Sequence, residues 1–296
     1  MAKDELETIQ NSIELRHGIY MLLGTILFFQ LVNLLLKIRG PPNSLKNEEW
    51  KWRNIYVSWL HALTVSVWAI LSMTMYPELF HDPMHHINLF TYFNACWPTG
   101  YFMYDFLDML LNGKLVSGWE VTLHHIVVGG MFYWDVHYRE KIGFIVMAMM
   151  IEFNSVFLHW RKLLQMVGVA YNSRHYLIIK YLNLVTFVFR FGGVFLITGS
   201  IYVFGDQVTA IYWWGISFAM LFMNILNVIL FRRLFRSDIL RGADGRRASV
   251  MDTLRGDWAN IVNNSSRCEH SCEVKHGGLV VNSNDVLYQE NDLKED

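Results

Sequence analysis

Seven apolar runs, each long enough to cross a lipid bilayer, constrain this chain more than any other feature. A helix spanning the hydrocarbon core of ~30 Å needs about 20 mostly apolar residues. By that ruler the runs are Ile19–Leu36, Ile55–Met75, Phe90–Leu111, Trp119–Tyr138, Ile142–Leu164, Leu177–Tyr202 and Ile211–Phe231. They are continuous rather than alternating at period two, which excludes a strand-built barrel. His124 and His125 interrupt the fourth run, so it is the weakest as a span. The fold class that follows is all-α: a polytopic transmembrane helical bundle.

The bundle does not take up the whole chain. From about Gly242 the sequence turns to Ser, Asn, Asp and Glu, with few large apolar residues, and reads as a disordered tail. The expected division is an N-terminal segment with the first span (1–45), a helical domain (46–240) and the polar tail (241–296). A net charge of −1 is silent on nucleic acid, and with no basic domain to argue for one, no nucleic-acid partner is expected. Three cysteines cannot form a disulfide framework. Cys268, His270 and Cys272 read as chance spacing in the tail, and no metal or cofactor is expected. No small-residue cleavage site follows the first run, which therefore reads as a retained span.

Charge in the connectors sets an expected orientation. One set of alternate connectors carries Lys37, Arg39, Lys46, Lys51, Arg53, Lys114, Arg161, Lys162, Arg174 and the arginines from Arg232 to Arg241. The other side carries only Lys3, Arg16, Arg139 and Lys141. The positive-inside rule then puts the N-terminus outside and the tail in the cytosol. There Asn263 and Asn264 would stay unglycosylated. Arg246-Arg247-Ala248-Ser249 resembles a basic-directed kinase site whose phosphate would weaken attraction to anionic headgroups.

Ionisable side chains inside a membrane are costly and need a job or a partner. The short Asn112–Gly118 connector makes spans three and four antiparallel neighbours. At a 1.5 Å rise, Asp105 and the pair His124/His125 then lie at one level, ~9 Å from the same surface. Glu120 and His124 are one turn apart, and His125 points about 100° away, so one histidine faces the interior and the other a helix contact. Imidazole titrates near neutral pH and a carboxylate can orient it, so His124, His125 and Asp105 are the candidate catalytic group, suited to acid–base work or acyl transfer. Around it lies a polar intramembrane cluster as the candidate binding group: Tyr101, Asp108, Glu152, Asn154, His159, Arg190 and Asn224. Arg190 should need a carboxylate or a water-filled cavity. Asn183, Asn224 and Asn227 read foremost as interhelical glue. Adjacent histidines alone lack the ligand count of a metal site. His85-His86 reads as a solvated loop pair.

The segments Tyr101-Phe-Met-Tyr-Asp105-Phe-Leu-Asp108, Trp119 to His125 and Glu152-Phe-Asn-Ser-Val-Phe-Leu158 resemble a TLC domain, the domain shared by TRAM, Lag and CLN-type membrane proteins. The resemblance covers about Trp50 to Leu240. A closer match, to the calfacilitin-like TLC domain-containing proteins one and two and their nematode membrane-fluidity relative, is carried by Arg53 to His61, Ser117 to His125, Lys180 to Val185 and Arg233 to Asp238. It implies a six-helix TLC core preceded by one extra span. It also implies a role at the plasma membrane in limiting long polyunsaturated acyl chains in phospholipids, and so in restraining fluidity. Membrane lipids and lipid-remodelling enzymes are then the expected partners. Ceramide synthases share the domain and use paired histidines, matched here by His124 and His125, to transfer acyl groups from acyl-CoA. Their second signature is replaced here by Ile151-Glu152-Phe-Asn154-Ser155, which keeps only one acid. The resemblance therefore implies a regulator of acyl composition, with acyl-CoA-dependent transfer and an endoplasmic reticulum address as the alternatives.

Overall fold

The computed structural model describes residues 13–236, and all of its regular structure there is helical. The polar tail, with Ser249, Asn263, Asn264 and the Cys268/Cys272 pair, lies outside the described residues. The long helices are α1 (Leu15–Arg39), α2 (Glu49–Met75), α4 (Leu89–Leu111) and α5 (Trp119–Tyr138), then a tandem pair α6 (Ile142–Met149) and α7 (Glu152–Met166), then α8 (Arg174–Val203) and α9 (Ala210–Phe235). The one-turn α3 (Glu78–His81) and two short 3-10 turns lie in connectors.

Local chemistry explains where several helices begin. Asn88 and Thr91 form a capping box, with Asn88 accepting from the Thr91 amide and Thr91 accepting from the Asn88 amide. Ser173 and Thr209 cap α8 and α9 by accepting from the amides of Tyr176 and Tyr212. Arg139 and Lys141 both adopt φ of 58° in the tight corner between α5 and α6. The Arg139 guanidinium donates to the Ile13 carbonyl and the Lys141 amide to that of Met84.

Five of the expected spans are long and apolar enough to cross a membrane: Leu15–Arg39, Leu45–Met75, Ile142–Met166, Arg174–Val203 and Ala210–Phe235. The third and fourth runs form helices of 23 and 20 residues but fall short of that hydropathy. These are α4, with Asp105 and Asp108, and α5, with the histidine pair. The bundle explains how α4 tolerates its acids. It packs on α1, α2, α5 and α6, and most of its residues are buried. Close approach to α1 rests on Gly100, where a Cβ would meet the Leu22 carbonyl oxygen at 2.9 Å.

The fifth run departs from its expected continuous helix. At Met150–Ile151 the amides of Met150, Ile151, Phe153 and Asn154 bond three residues back rather than four. The ladder tightens to 3-10 geometry in mid-span without glycine or proline, a feature that often marks a functional position. Ile151 is seated where Gly193 of α8 lacks a side chain, since a Cβ there would lie 2.7 Å from it. Glu152 opens α7 directly after this break.

Candidate functional site

Polar faces of six helices converge on one cavity of about 350 Å³, within the range of small-molecule sites. Asn54, Ser58 and His61 come from one face of α2, at the i, i+4, i+7 spacing that stacks side chains along a helix. Tyr101 and Asp105 come from α4, Glu120, His124 and His125 from α5, and Glu152, Ser155 and His159 from α7. Arg190 enters from α8, and Asn227 and Arg233 from α9. Arg233 makes a two-pronged ion pair with Glu120 at 2.8 and 3.0 Å, joining α9 to α5 at the exposed end.

The histidine pair divides as the helix geometry requires. His125 is buried, with Nδ1 at 3.2 Å from Asp105 Oδ2, although at an angle outside hydrogen-bond geometry. The other Asp105 oxygen accepts from Asn54 at 2.6 Å. His124 is less buried, and its Nδ1 lies 3.0 Å from the Met223 sulfur. Tyr101 donates to Ser58 at 2.9 Å and stacks on His61, with ring centroids 3.7 Å apart. His61 Nε2 is buried and unpartnered.

A second, narrow void adjoins the first. It is lined by Val128, Phe132, Phe144, Ile145, Val194, Ile197 and Ile216, among other apolar groups, and shares Phe102, His124, Glu152 and Met223 with the polar cavity. Its volume is about 70 Å³, room for roughly two waters at ~30 Å³ each. Met131, Met149, Met220 and Met223 line it. Methionine is unbranched and adaptable, so this wall can widen around a chain. From His124 to Asp135 the slot follows eleven residues of α5, about 16 Å at a 1.5 Å rise. At its far end Tyr212 donates to Asp135 at 3.1 Å, and Lys141 lies 4.5 Å from the Tyr212 ring centre.

The residues singled out from sequence sort into three groups. His124, His125, Asp105, Tyr101, Glu152, His159 and Arg190 share the cavity wall. Asn154 stands behind it, donating to Asn183 and Thr186 and accepting from Arg190. Asp108 and Asn224 stand apart from it. Asp108 is buried among Asn33, Trp50 and Asn112, all of which donate to it. Asn224 donates to the Met220 carbonyl of its own helix. Sequence reading missed Asn54, Ser58 and His61 as wall residues, although their helical spacing was there to be read. Asn227, expected as interhelical glue, does tie α9 to α8 by accepting from Arg190, and it lines the cavity as well. Among the described residues no group of three or more His, Cys, Asp or Glu is arranged to hold a metal ion.

Chemically, the site offers imidazoles beside a carboxylate, donors around an open volume, and an apolar extension. That arrangement suits a molecule with a polar head and an apolar tail.

The TLC domain family matches residues 51–236. TLC domain-containing protein 2 of Danio rerio is 34% identical over 234 residues, covering 79% of this chain and 93% of the relative. TLC domain-containing protein 1 of Homo sapiens is 28% identical over 225 residues, covering 74% and 89%. No solved structure matches the chain. The helices, their membrane-spanning composition and the matched domain agree, and the chain belongs to the TLC domain family of multi-pass membrane proteins of lipid metabolism or sensing.

Proposed function

We propose that this protein regulates membrane phospholipid acyl composition by holding a single-chain lipid or an acyl donor. It thereby limits entry of long polyunsaturated chains into phospholipids and favours a more rigid membrane. The observation that carries this reading is a 350 Å³ polar cavity lying against an apolar slot, with Phe102, His124, Glu152 and Met223 in the wall of both. The head occupies the polar volume and the first part of the tail enters the slot. The narrowness of the slot favours a chain that is straight near its head, and its methionine lining lets the wall adjust around that chain. The basic connectors support an orientation in which the cavity opens toward the cytosolic leaflet, with the tail of the protein in the cytosol. The plasma membrane is the proposed compartment, and lipid-remodelling enzymes are the proposed partners. Cells lacking the protein should gain long polyunsaturated chains in their phospholipids and lose them on re-expression. An unchanged acyl profile would defeat the proposal.

A second reading is favoured by one contact, His125 beside Asp105 at 3.2 Å. In it the protein is an acyl-CoA-dependent transferase. His125 takes the proton of an attacking hydroxyl or amine, Asp105 steadies the resulting cation, and coenzyme A leaves as its thiol after protonation. Purified protein incubated with oleoyl-CoA and lysophospholipid or sphingoid base decides this reading. Acyl transfer that His125→Ala abolishes would establish it, and its absence with both acceptors would reject it.

A further inference from the structure

Arg190 is a charge without a counter-ion in contact. It sits near the middle of α8 and is only 7% exposed. Its three hydrogen bonds all go to neutral acceptors: Asn154 Oδ1 at 3.1 Å, Asn227 Oδ1 at 3.1 Å and Ser155 Oγ. Among the described residues no carboxylate forms an ion pair with it. Glu152 lines the same cavity, and among the described residues its side chain makes neither a hydrogen bond nor an ion pair. A guanidinium carries five N–H donors and no acceptor. Two N–H groups, one on each terminal nitrogen, are therefore uncommitted.

A second donor lies beside them. Because the guanidinium can only donate, Asn227 must turn its oxygen to Arg190, and its Nδ2 is left buried without an acceptor. Asn227 is 1% exposed. Both residues line the polar cavity, as do His124 and His159. A tie between helices needs no permanent charge, and a buried unpaired cation is costly in a membrane. The arrangement leaves buried donors facing the cavity with no acceptor.

The same helix fixes where the rest of the ligand goes. Val194 and Ile197 follow Arg190 at i+4 and i+7, on the same face of α8, and both line the apolar slot. We propose that Arg190 and Asn227 receive the anionic end of a single-chain lipid, a carboxylate or a phosphate monoester borne at the head of the chain, with the tail passing Val194 and Ile197. This rests on the reading that the site takes such a lipid, and it adds the charge that the head must carry. Glu152, on the same wall, opposes an incoming anion and sets a ceiling on its affinity.

The test uses the full chain in nanodiscs of neutral phosphatidylcholine. Binding of radiolabelled oleate, oleoyl lysophosphatidic acid and uncharged monooleoylglycerol is measured. At least one anion should bind ten- to a hundredfold more tightly than the neutral analogue, the span expected for charge-assisted bonds to a guanidinium. The two anionic arms distinguish carboxylate from phosphate. R190Q should erase the preference while retaining binding of monooleoylglycerol. E152Q leaves every Arg190 hydrogen bond in place and should raise the preference severalfold, so it decides the matter if R190Q does not fold. Equal binding of acid and neutral lipid, or a preference that E152Q lowers or leaves unchanged, overturns the anion site alone. Failure of all three lipids to bind overturns the lipid-binding reading beneath it.

Discussion

Replacing Asn154 by leucine tests whether the polar web behind the cavity holds the bundle together. The two side chains share a branched skeleton and leucine is the bulkier, so the change removes hydrogen bonds without opening a cavity. Asn154 Nδ2 donates to the Asn183 carbonyl at 2.8 Å, to Asn183 Oδ1 at 3.1 Å and to Thr186 Oγ1 at 3.1 Å, while its Oδ1 accepts from Arg190 at 3.1 Å. Thr186 keeps its own bond to the Leu182 carbonyl, so its hydroxyl loses little. The guanidinium loses a charge-assisted bond, worth ~1.5–3 kcal/mol, and Asn183 Oδ1 loses a neutral one, worth ~1 kcal/mol. Interhelical bonds in membranes average nearer 0.6 kcal/mol, which pulls the total down to ~2–3 kcal/mol. At about 2–4 °C per kcal/mol for a domain of this size, the unfolding midpoint should fall by roughly 4–12 °C. Fluorescence-monitored thermal unfolding of the purified protein in detergent reads this directly. An unchanged midpoint in Asn154→Leu would refute the claim that this web braces α7 against α8.

Two further perturbations probe other parts of the fold. A Cβ at Gly100 would lie 2.8 Å from Thr25 Cβ and 2.9 Å from the Leu22 carbonyl oxygen, so Gly100→Ala should cost about 1–3 kcal/mol by pushing α1 away. Gly24 meets nothing within 4 Å, so Gly24→Ala should be neutral or stabilising by up to ~1 kcal/mol, and equal effects of the two would contradict the packing. His86, in the connector before α4, has its pKa lowered by burial, partly opposed by Glu78 and Asp82, and its Nε2 lies 3.2 Å from Asn88 Nδ2. The folded state therefore favours the neutral ring. Its contribution is fully present above about pH 6.5 and is lost as pH falls from there toward the lowered folded value. The acid-side loss of unfolding midpoint should accordingly be shallower in His86→Gln than in wild type, and parallel pH profiles would count against this.

Length and apolarity made the helices legible, because a run of about 20 residues has few other uses. The level shared by Asp105 and His125 also followed from a short connector and a fixed rise, and the 3.2 Å contact bears out that alignment. Three features were not legible, each for a physical reason. The break at Met150–Ile151 has no glycine or proline to announce it, and the complementary partner, Gly193, lies far along the chain. Asp108 looked like a cavity group, yet Asn33 and Trp50 reach it from helices whose relative rotation the sequence does not encode locally. The separation of a polar cavity from an apolar slot depends on where six helices leave space, and no single run carries that information.

On the proposed reading, the polar cavity whose wall carries His124 and His125 is where the protein acts on membrane composition. Phospholipid acyl profiles should be measured in cells lacking the protein and rescued to equal abundance with wild type or with His124→Ala/His125→Ala. Wild type should restore the profile and the double variant should not. Full restoration by a folded, correctly located double variant would contradict that reading and return the histidines to the status of structural side chains.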